Sequence, residues 1–401
     1  MDTTWELDRS SIPKELTLLL SLLRTDPEPD LFAKYRDELS GMNWDVFLQL
    51  AFHHRVYPAL HTNLHRRQIA WIPLQVKLQL QQQYQRNTFE MLHLTSEMEF
   101  VSRVLSEVSI RSLMLKGPVL AADLYGDLSL RTCGDLDILV PMQDLEKTEE
   151  LLRKLGYVKD EYIQTVLNDW KWRHHHVTFF HFQKRIKIEV HWRLGPGPGK
   201  EPGFESLWER KRTSSITPNP VYYLGREDLF LFLVSHGARH GWSRLRWLTD
   251  IDQLARQEAL QPVKLIPLLK QNRHLHLASQ ALVLSSQLLG TPLSGPLEGV
   301  AAGHRGKSLA QEALFYLREM INLHSEPLPE PVSRYHKRHL FSLMSLHHKV
   351  LFIMNFFYPY PEDAETLKLP KSVHFLYFPL RPLLWAWRKT KKLAVSQGGT
   401  S

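Results

Sequence analysis

Near Arg111 the hydrophobic period of the chain changes, and this change limits the architecture more tightly than any other property of the sequence. Upstream, "PKELTLLLSLL" and "WDVFLQLAFHHRVYPALHTNL" repeat apolar residues at three-and-four spacing, which marks helices with one buried stripe. After Pro73, the recurrence of Leu80, Tyr84, Met91, Leu94, Met98, Val101, Leu105 and Val108 predicts one long helix packed along a single face. From Arg111 the texture becomes strand, turn, helix, strand. "SLMLKG" reads as a short strand ending at Gly117, "PVLAADLYGD" as a helix with Pro118 in its first turn, and "DLDILV" as a second strand. A helix over "DLEKTEELLRKLGY", with Leu145, Leu152 and Leu155 on one face, stops at Gly156. "HVTFFHFQ" and "IKIEVHWRL" then form a hairpin joined near Lys184 and Arg185.

The Gly/Pro loop "GPGPGKEPG" either ends the sheet or forms a mobile lid, and helices resume after it with "REDLFLFLVSHGARHGWSRLRWLTDIDQLARQ". The expected fold class is α+β, a small mixed sheet flanked by helical regions. Its expected parts are an N-terminal helical region (1–109), an α/β core (110–215), a helical domain closing the site (216–325), and a linker with a basic, aromatic C-terminal segment (326–401). "HSEPLPEPVSRYHKR" is the expected linker, and the last residues, "SQGGTS", are expected to be disordered.

Composition narrows the function classes. At 401 residues and 43% hydrophobic content the chain has enough material for two or three domains with substantial cores. Its one cysteine, Cys133, excludes an internal disulfide and a cysteine-built zinc site, and reads as a small buried hydrophobe. The start lacks a secretory signal pattern, and the longest apolar stretch, "VHFLYFPLRPLLWAW" from Val373, is interrupted by two prolines and Arg381. A cytoplasmic protein with no transmembrane segment is expected. The formal charge of +8 leans towards an anionic partner: nucleotide, nucleic acid or acidic membrane surface.

Within the strand "DLDILV", Asp135 and Asp137 share a face, because side chains alternate across a sheet. Two carboxylates so close repel unless a cation or basic group lies between them. A divalent metal satisfies that need; a half-exposed strand whose polar face carries aspartate twice is the structural alternative. Context favours the metal. The turn at Gly117 lets backbone approach a phosphate, and Glu189 lies on the polar face of the second hairpin strand, which it shares with Lys187 and His191. With Lys116 and Arg131 nearby, three carboxylates on neighbouring strands suit two Mg²⁺ ions and a nucleoside triphosphate, with Mn²⁺ able to substitute.

"LMLKGPVLAADLY", "LRTCGDLDILV" and "IKIEVHW", taken in order, resemble the nucleotidyltransferase superfamily built on the DNA polymerase beta palm. The chain looks closest to the poorly characterised bacterial nucleotidyltransferases with a Lys-Gly turn and an Asp-x-Asp strand, over roughly residues 95–260. The resemblance implies transfer of a nucleoside monophosphate from an NTP to a hydroxyl of an unidentified acceptor (small molecule, protein or RNA), with release of pyrophosphate. It implies metal binding by Asp135 and Asp137, with Glu189 as third ligand or base, and nucleotide contacts from Lys116, Gly117 and Arg131. It also implies that a helical segment closes over the triphosphate, which nominates Arg239, His240 and Arg246. One departure is Pro118, where many members of the superfamily carry a serine that holds a terminal phosphate. That departure supports an alternative, a catalytically inactive binding module on the same fold, acting as a partner-recognition or antitoxin-like protein. An RNA-binding adaptor is a third reading, supported by the C-terminal tail alone.

Other conspicuous residues carry plainer expectations. Asp250 is expected to pair with Arg246 four positions earlier. The histidines of "RHHHV" are expected to point to opposite faces of a strand and so not all to bind one ion. Trp385 and Trp387, beside Arg381, Arg388, Lys389, Lys391 and Lys392, are expected to tuck into the core while the basic groups face water.

Overall fold

A computed structural model of the chain describes residues 5–26, 30–161, 163, 167–197, 199–257, 259–323 and 327–397. Seven strands form one mixed sheet: β1 (Leu113–Met114), β2 (Asp135–Leu139), β3 (Val158–Lys159), β4 (His176–His181), β5 (Ile186–His191), β6 (Arg212–Ser214) and β7 (Val221–Tyr223). Their spatial order is β3-β4-β5-β2-β1-β7-β6. The hairpin β4–β5 is antiparallel, β5 runs parallel to β2, and β1 is antiparallel to β2 and parallel to β7. Helices make up most of the rest, so the class is α+β as the change of period indicates.

The long helix is Leu74–Glu107, and Leu80, Met91, Leu94, Met98, Val101 and Leu105 of its stripe are buried. Val108 lies one residue past the helix and is exposed. The lower half of this helix, Leu94 to Leu105, covers the sheet core formed by Leu136, Ile138, Phe179, Ile188 and Val190. A second core joins the N-terminal helices to the helices that follow the sheet, running from Leu16 and Phe47 to Phe230, Leu248, Leu282 and Leu314. The chain therefore returns, after the sheet, to pack on the helices it began with.

Three expectations outside the site need correcting. The supposed linker is mostly a helix, Glu330–Leu343, whose prolines fall at its start, where a missing N–H costs nothing. His339 in that helix is buried, with a ring nitrogen 3.2 Å from the carbonyl of Ala238. The tryptophans of the last helix, Tyr377–Gln397, are not in the core: Trp385 is 53% and Trp387 65% exposed. Arg381 is the group tucked in, paired with buried Asp363 at 2.5 Å, and a second arginine, Arg388, reaches the same carboxylate at 2.7 Å. Residues 398–401 of the tail lie outside the described residues. No helix among the described residues is long and apolar enough to cross a membrane.

Candidate active site

The parallel register of β2 and β5 places Asp135 beside Lys187 and Asp137 beside Glu189. Alternate residues share a face, so Asp135, Asp137, Lys187, Glu189 and His191 form one polar patch on an otherwise apolar pair of strands. β1 delivers the next group. The Leu115 N–H donates to the Asp137 carbonyl at 3.0 Å, and from the following position Lys116 brings its Nζ to 3.1 Å from Asp137 Oδ2 and 3.5 Å from Asp135 Oδ1. The chain then turns at Gly117, whose φ of +95° and ψ of −146° suit glycine alone, and enters the helix Pro118–Tyr125.

These groups line a cavity of about 500 Å³ whose remaining walls come from the helices Arg226–Arg239 and Leu245–Arg256. His236, Arg239 and His240 reach it from the end of the first helix, and Arg244, Arg246 and Trp247 from the start of the second. Arg55, at positive φ in the N-terminal region, also lines it. Three carboxylates thus face six basic side chains: Lys116, Lys187, Arg55, Arg239, Arg244 and Arg246.

The acids are held by two lysines and a histidine. Lys187 Nζ lies 2.9 Å from Asp135 and 2.8 Å from Glu189, and His191 Nε2 lies 3.2 Å from Asp137 and 3.6 Å from Glu189. Burial alone would raise every carboxyl pKa. For Asp135 the charges of Lys116 and then Lys187 reverse this, and its pKa falls below the usual carboxylate range. Glu189 is lowered as well, against burial, chiefly by the His191 hydrogen bond and Lys116. Asp137 differs: burial and the Asp135 charge outweigh Lys116, and its pKa is raised. Only 1% exposed, Asp137 has its Oδ2 paired with the Lys116 ammonium at 3.1 Å, without hydrogen-bond geometry. A donor set of clustered carboxylates, with Asp137, Glu189 and His191 offering ligand atoms within 4.8 Å of one another, fits a hard divalent cation.

The arginines are short of acids. Burial pushes Arg239, Arg244 and Arg246 down to about 10 each. Arg246 Nη1 donates to the Thr132 carbonyl at 2.6 Å, while its buried Nε has no hydrogen-bond partner. Arg244 donates to the His53 carbonyl at 2.6 Å and to Asn322 at 3.1 Å. Among the described residues none of the three has a carboxylate within ion-pair distance, so their charge is available to an anion.

Of the residues nominated from sequence, Asp135, Asp137, Glu189, Lys116, Arg239, His240 and Arg246 line this cavity. Gly117 lies behind them as the turn. Arg131 is a correction: it is 2% exposed and does not line the cavity. Its Nε and Nη2 donate to Asp250 at 2.8 and 2.9 Å, so Asp250 pairs with Arg131 and not with Arg246. Burial disfavours the guanidinium charge, but Asp250 more than offsets it and raises the Arg131 pKa.

For the histidines of "RHHHV" the correction is partial, since His174 stays apart but His175 and His176 come together. His175 precedes β4 and is free of the strand's alternation, and His176 stands opposite His191 in the β4–β5 register, so all three meet. Lys187, Arg55 and Arg244 were missed altogether as site residues. The alternation of β5 carried the signal for Lys187; nothing local marks the two arginines.

A family model described as "uncharacterised nucleotidyltransferase" matches residues 40–290, which include the whole sheet and the cavity. The chain belongs to this family, and with it to the nucleotidyltransferases. No curated protein matches it.

Proposed function

We propose that the protein transfers a nucleoside monophosphate from an NTP to a hydroxyl of an acceptor. The acceptor oxygen attacks the α-phosphorus, the bond to the β-phosphate oxygen breaks, pyrophosphate leaves, and the hydroxyl gives up its proton. The observation that carries this reading is the pairing, in one cavity, of three clustered carboxylates with three arginines that have no carboxylate within ion-pair distance among the described residues. A triphosphate brings the charge that the arginines lack, and divalent cations would offset the carboxylate charge that the two lysines leave uncompensated.

Asp135, Asp137 and Glu189 would hold two Mg²⁺ ions, or Mn²⁺ in their place. Bound there, the cations would neutralise developing charge on the departing pyrophosphate and acidify the acceptor hydroxyl. The lowered pKa of Glu189 suits a ligand better than a proton acceptor. Arg239, Arg244 and Arg246 bind phosphate oxygens, Lys116 adds charge from the acid side, and Phe232 and Trp247 offer apolar surface to a base. With Pro118 lacking hydroxyl and N–H, phosphate recognition rests on these side chains.

A second reading has its own support: Lys116 and Lys187 already neutralise the acids, as they would in a binding module that had lost turnover. Incubation with α-labelled NTPs, Mg²⁺ or Mn²⁺ and candidate acceptors separates the two. Labelled product lost in Asp137→Ala is expected. Nucleotide binding without any transfer would favour the binding module, and neither binding nor transfer would remove both.

A further inference from the structure

We propose that His175, His176 and His191 form a seat for a transition divalent cation of the Co²⁺ or Zn²⁺ kind, separate from the carboxylate site beside it. This seat goes beyond the nucleotidyl-transfer reading and does not depend on it. Each of the three imidazoles offers one nitrogen, and these nitrogens lie within 4.8 Å of one another.

The backbone fixes them there. His176 stands across from His191 in the antiparallel ladder, and the His175 carbonyl accepts from the N–H of Trp192 at 3.0 Å, which ties the residue ahead of β4 to the one after β5. His175 Nε2 and His176 Nδ1 are 3.1 Å apart. Two nitrogens each about 2.05 Å from one tetrahedral ion would be separated by roughly 3.3 Å, so this pair already has close to the required spacing, and a cation would replace the hydrogen bond between the two rings.

His191 supplies the independent observation. It is 3% exposed, its Nε2 lies 3.2 Å from Asp137 Oδ1, and its Nδ1 is buried without any hydrogen-bond partner. An imidazole with one nitrogen held by a carboxylate and the other left without a partner becomes the usual arrangement of a metal-ligating histidine once that second nitrogen gives up its proton, which a bound cation would enforce. Leaving that nitrogen empty is unfavourable, as for any buried polar atom without a partner. Nitrogen ligands select against Mg²⁺, which prefers oxygen and keeps its waters, and favour the later transition ions. The cavity would then sort cations by wall, with oxygens for Mg²⁺ and imidazoles for a transition metal.

The test uses the full chain, stripped with a chelator and titrated with Co²⁺ in excess Mg²⁺. One equivalent of Co²⁺ is expected to bind with visible ligand-field bands, to resist Mg²⁺ and to yield to Zn²⁺. His175→Gln and His176→Gln should each weaken Co²⁺ at least tenfold, with folding checked by circular dichroism. Histidine ring signals in wild-type NMR spectra should broaden on adding substoichiometric Co²⁺, which requires no variant. Asp135→Asn should keep the Co²⁺ bands while losing Mg²⁺-dependent nucleotide binding, so failure of this seat and failure of the transfer reading are told apart. Absence of the bands, equal competition by Mg²⁺, or unchanged affinity in the folded histidine variants would overturn the proposal.

Discussion

Replacing Arg131 with methionine should destabilise the fold without touching the cavity wall directly. Asp250 is 0% exposed and accepts from Arg131 Nε at 2.8 Å, Arg131 Nη2 at 2.9 Å and the Tyr125 hydroxyl at 2.9 Å. Removing the guanidinium leaves a buried carboxylate with one neutral donor, the situation in which losing one partner of a buried ion pair costs about 3–5 kcal/mol. Removing both charges, in Arg131→Met with Asp250→Leu, restores most of that loss because no uncompensated charge remains. Equilibrium urea denaturation of the four proteins of this cycle measures the coupling. A cost below about 1 kcal/mol for Arg131→Met, or a double variant no better than the sum of the singles, would refute the assignment of Arg131 to a structural pair. The pair joins the segment before β2 to the helix Leu245–Arg256, so its loss should also loosen the cavity and weaken nucleotide binding.

Three further outcomes follow from the same geometry. Arg239→Met should weaken NTP binding by about 1.5–3 kcal/mol, roughly tenfold to a hundredfold in Kd by calorimetry, because the lost hydrogen bonds would be charged and no carboxylate among the described residues lies within ion-pair distance of that group. Lys187→Met should strengthen Mn²⁺ binding at the carboxylates, read by paramagnetic relaxation, since the ammonium 2.9 Å from Asp135 competes for the same oxygens; weaker binding would mean that the lysine assists the cation. Stability should fall as pH drops from about 6.5 towards 4. Burial holds His274 down to about 4 and fully buried His54 well below its ordinary value, so the unfolded chain takes up protons that the folded chain refuses. Each contributes up to about 1.4 kcal/mol per pH unit in that window, and melting temperatures that do not fall between pH 7 and pH 5 would contradict it.

The sheet and its acids were legible because strands carry their pattern locally. Alternation put Asp135 with Asp137 and Glu189 with Lys187 and His191, and only the parallel pairing of β2 with β5 was needed to join the two sets. Arg131 misled for the opposite reason: its proximity in sequence to Asp135 said nothing about Asp250, 119 residues away, which holds it. Arg55 and Arg244 reach the cavity through packing of the N-terminal helices on those after the sheet, a contact with no local signature. The histidine trio was hidden because strand alternation does not extend across "RHHHV": β4 begins at His176 and leaves His175 outside the alternation. Hydropathy does not register ion pairing, so it missed that Arg381 is the group held inward, by buried Asp363, while Trp385 and Trp387 stay exposed.

Divalent cation and nucleotide should bind as one unit at the β2–β5 carboxylates, and a titration of fluorescent NTP with and without Mg²⁺ tests this most directly. Wild-type affinity should rise at least tenfold with Mg²⁺, and that gain should vanish in Asp135→Asn combined with Asp137→Asn while cation-free binding to the arginines persists. Equal affinity with and without the cation in the wild-type protein, or an unchanged gain in the double variant, would contradict the account.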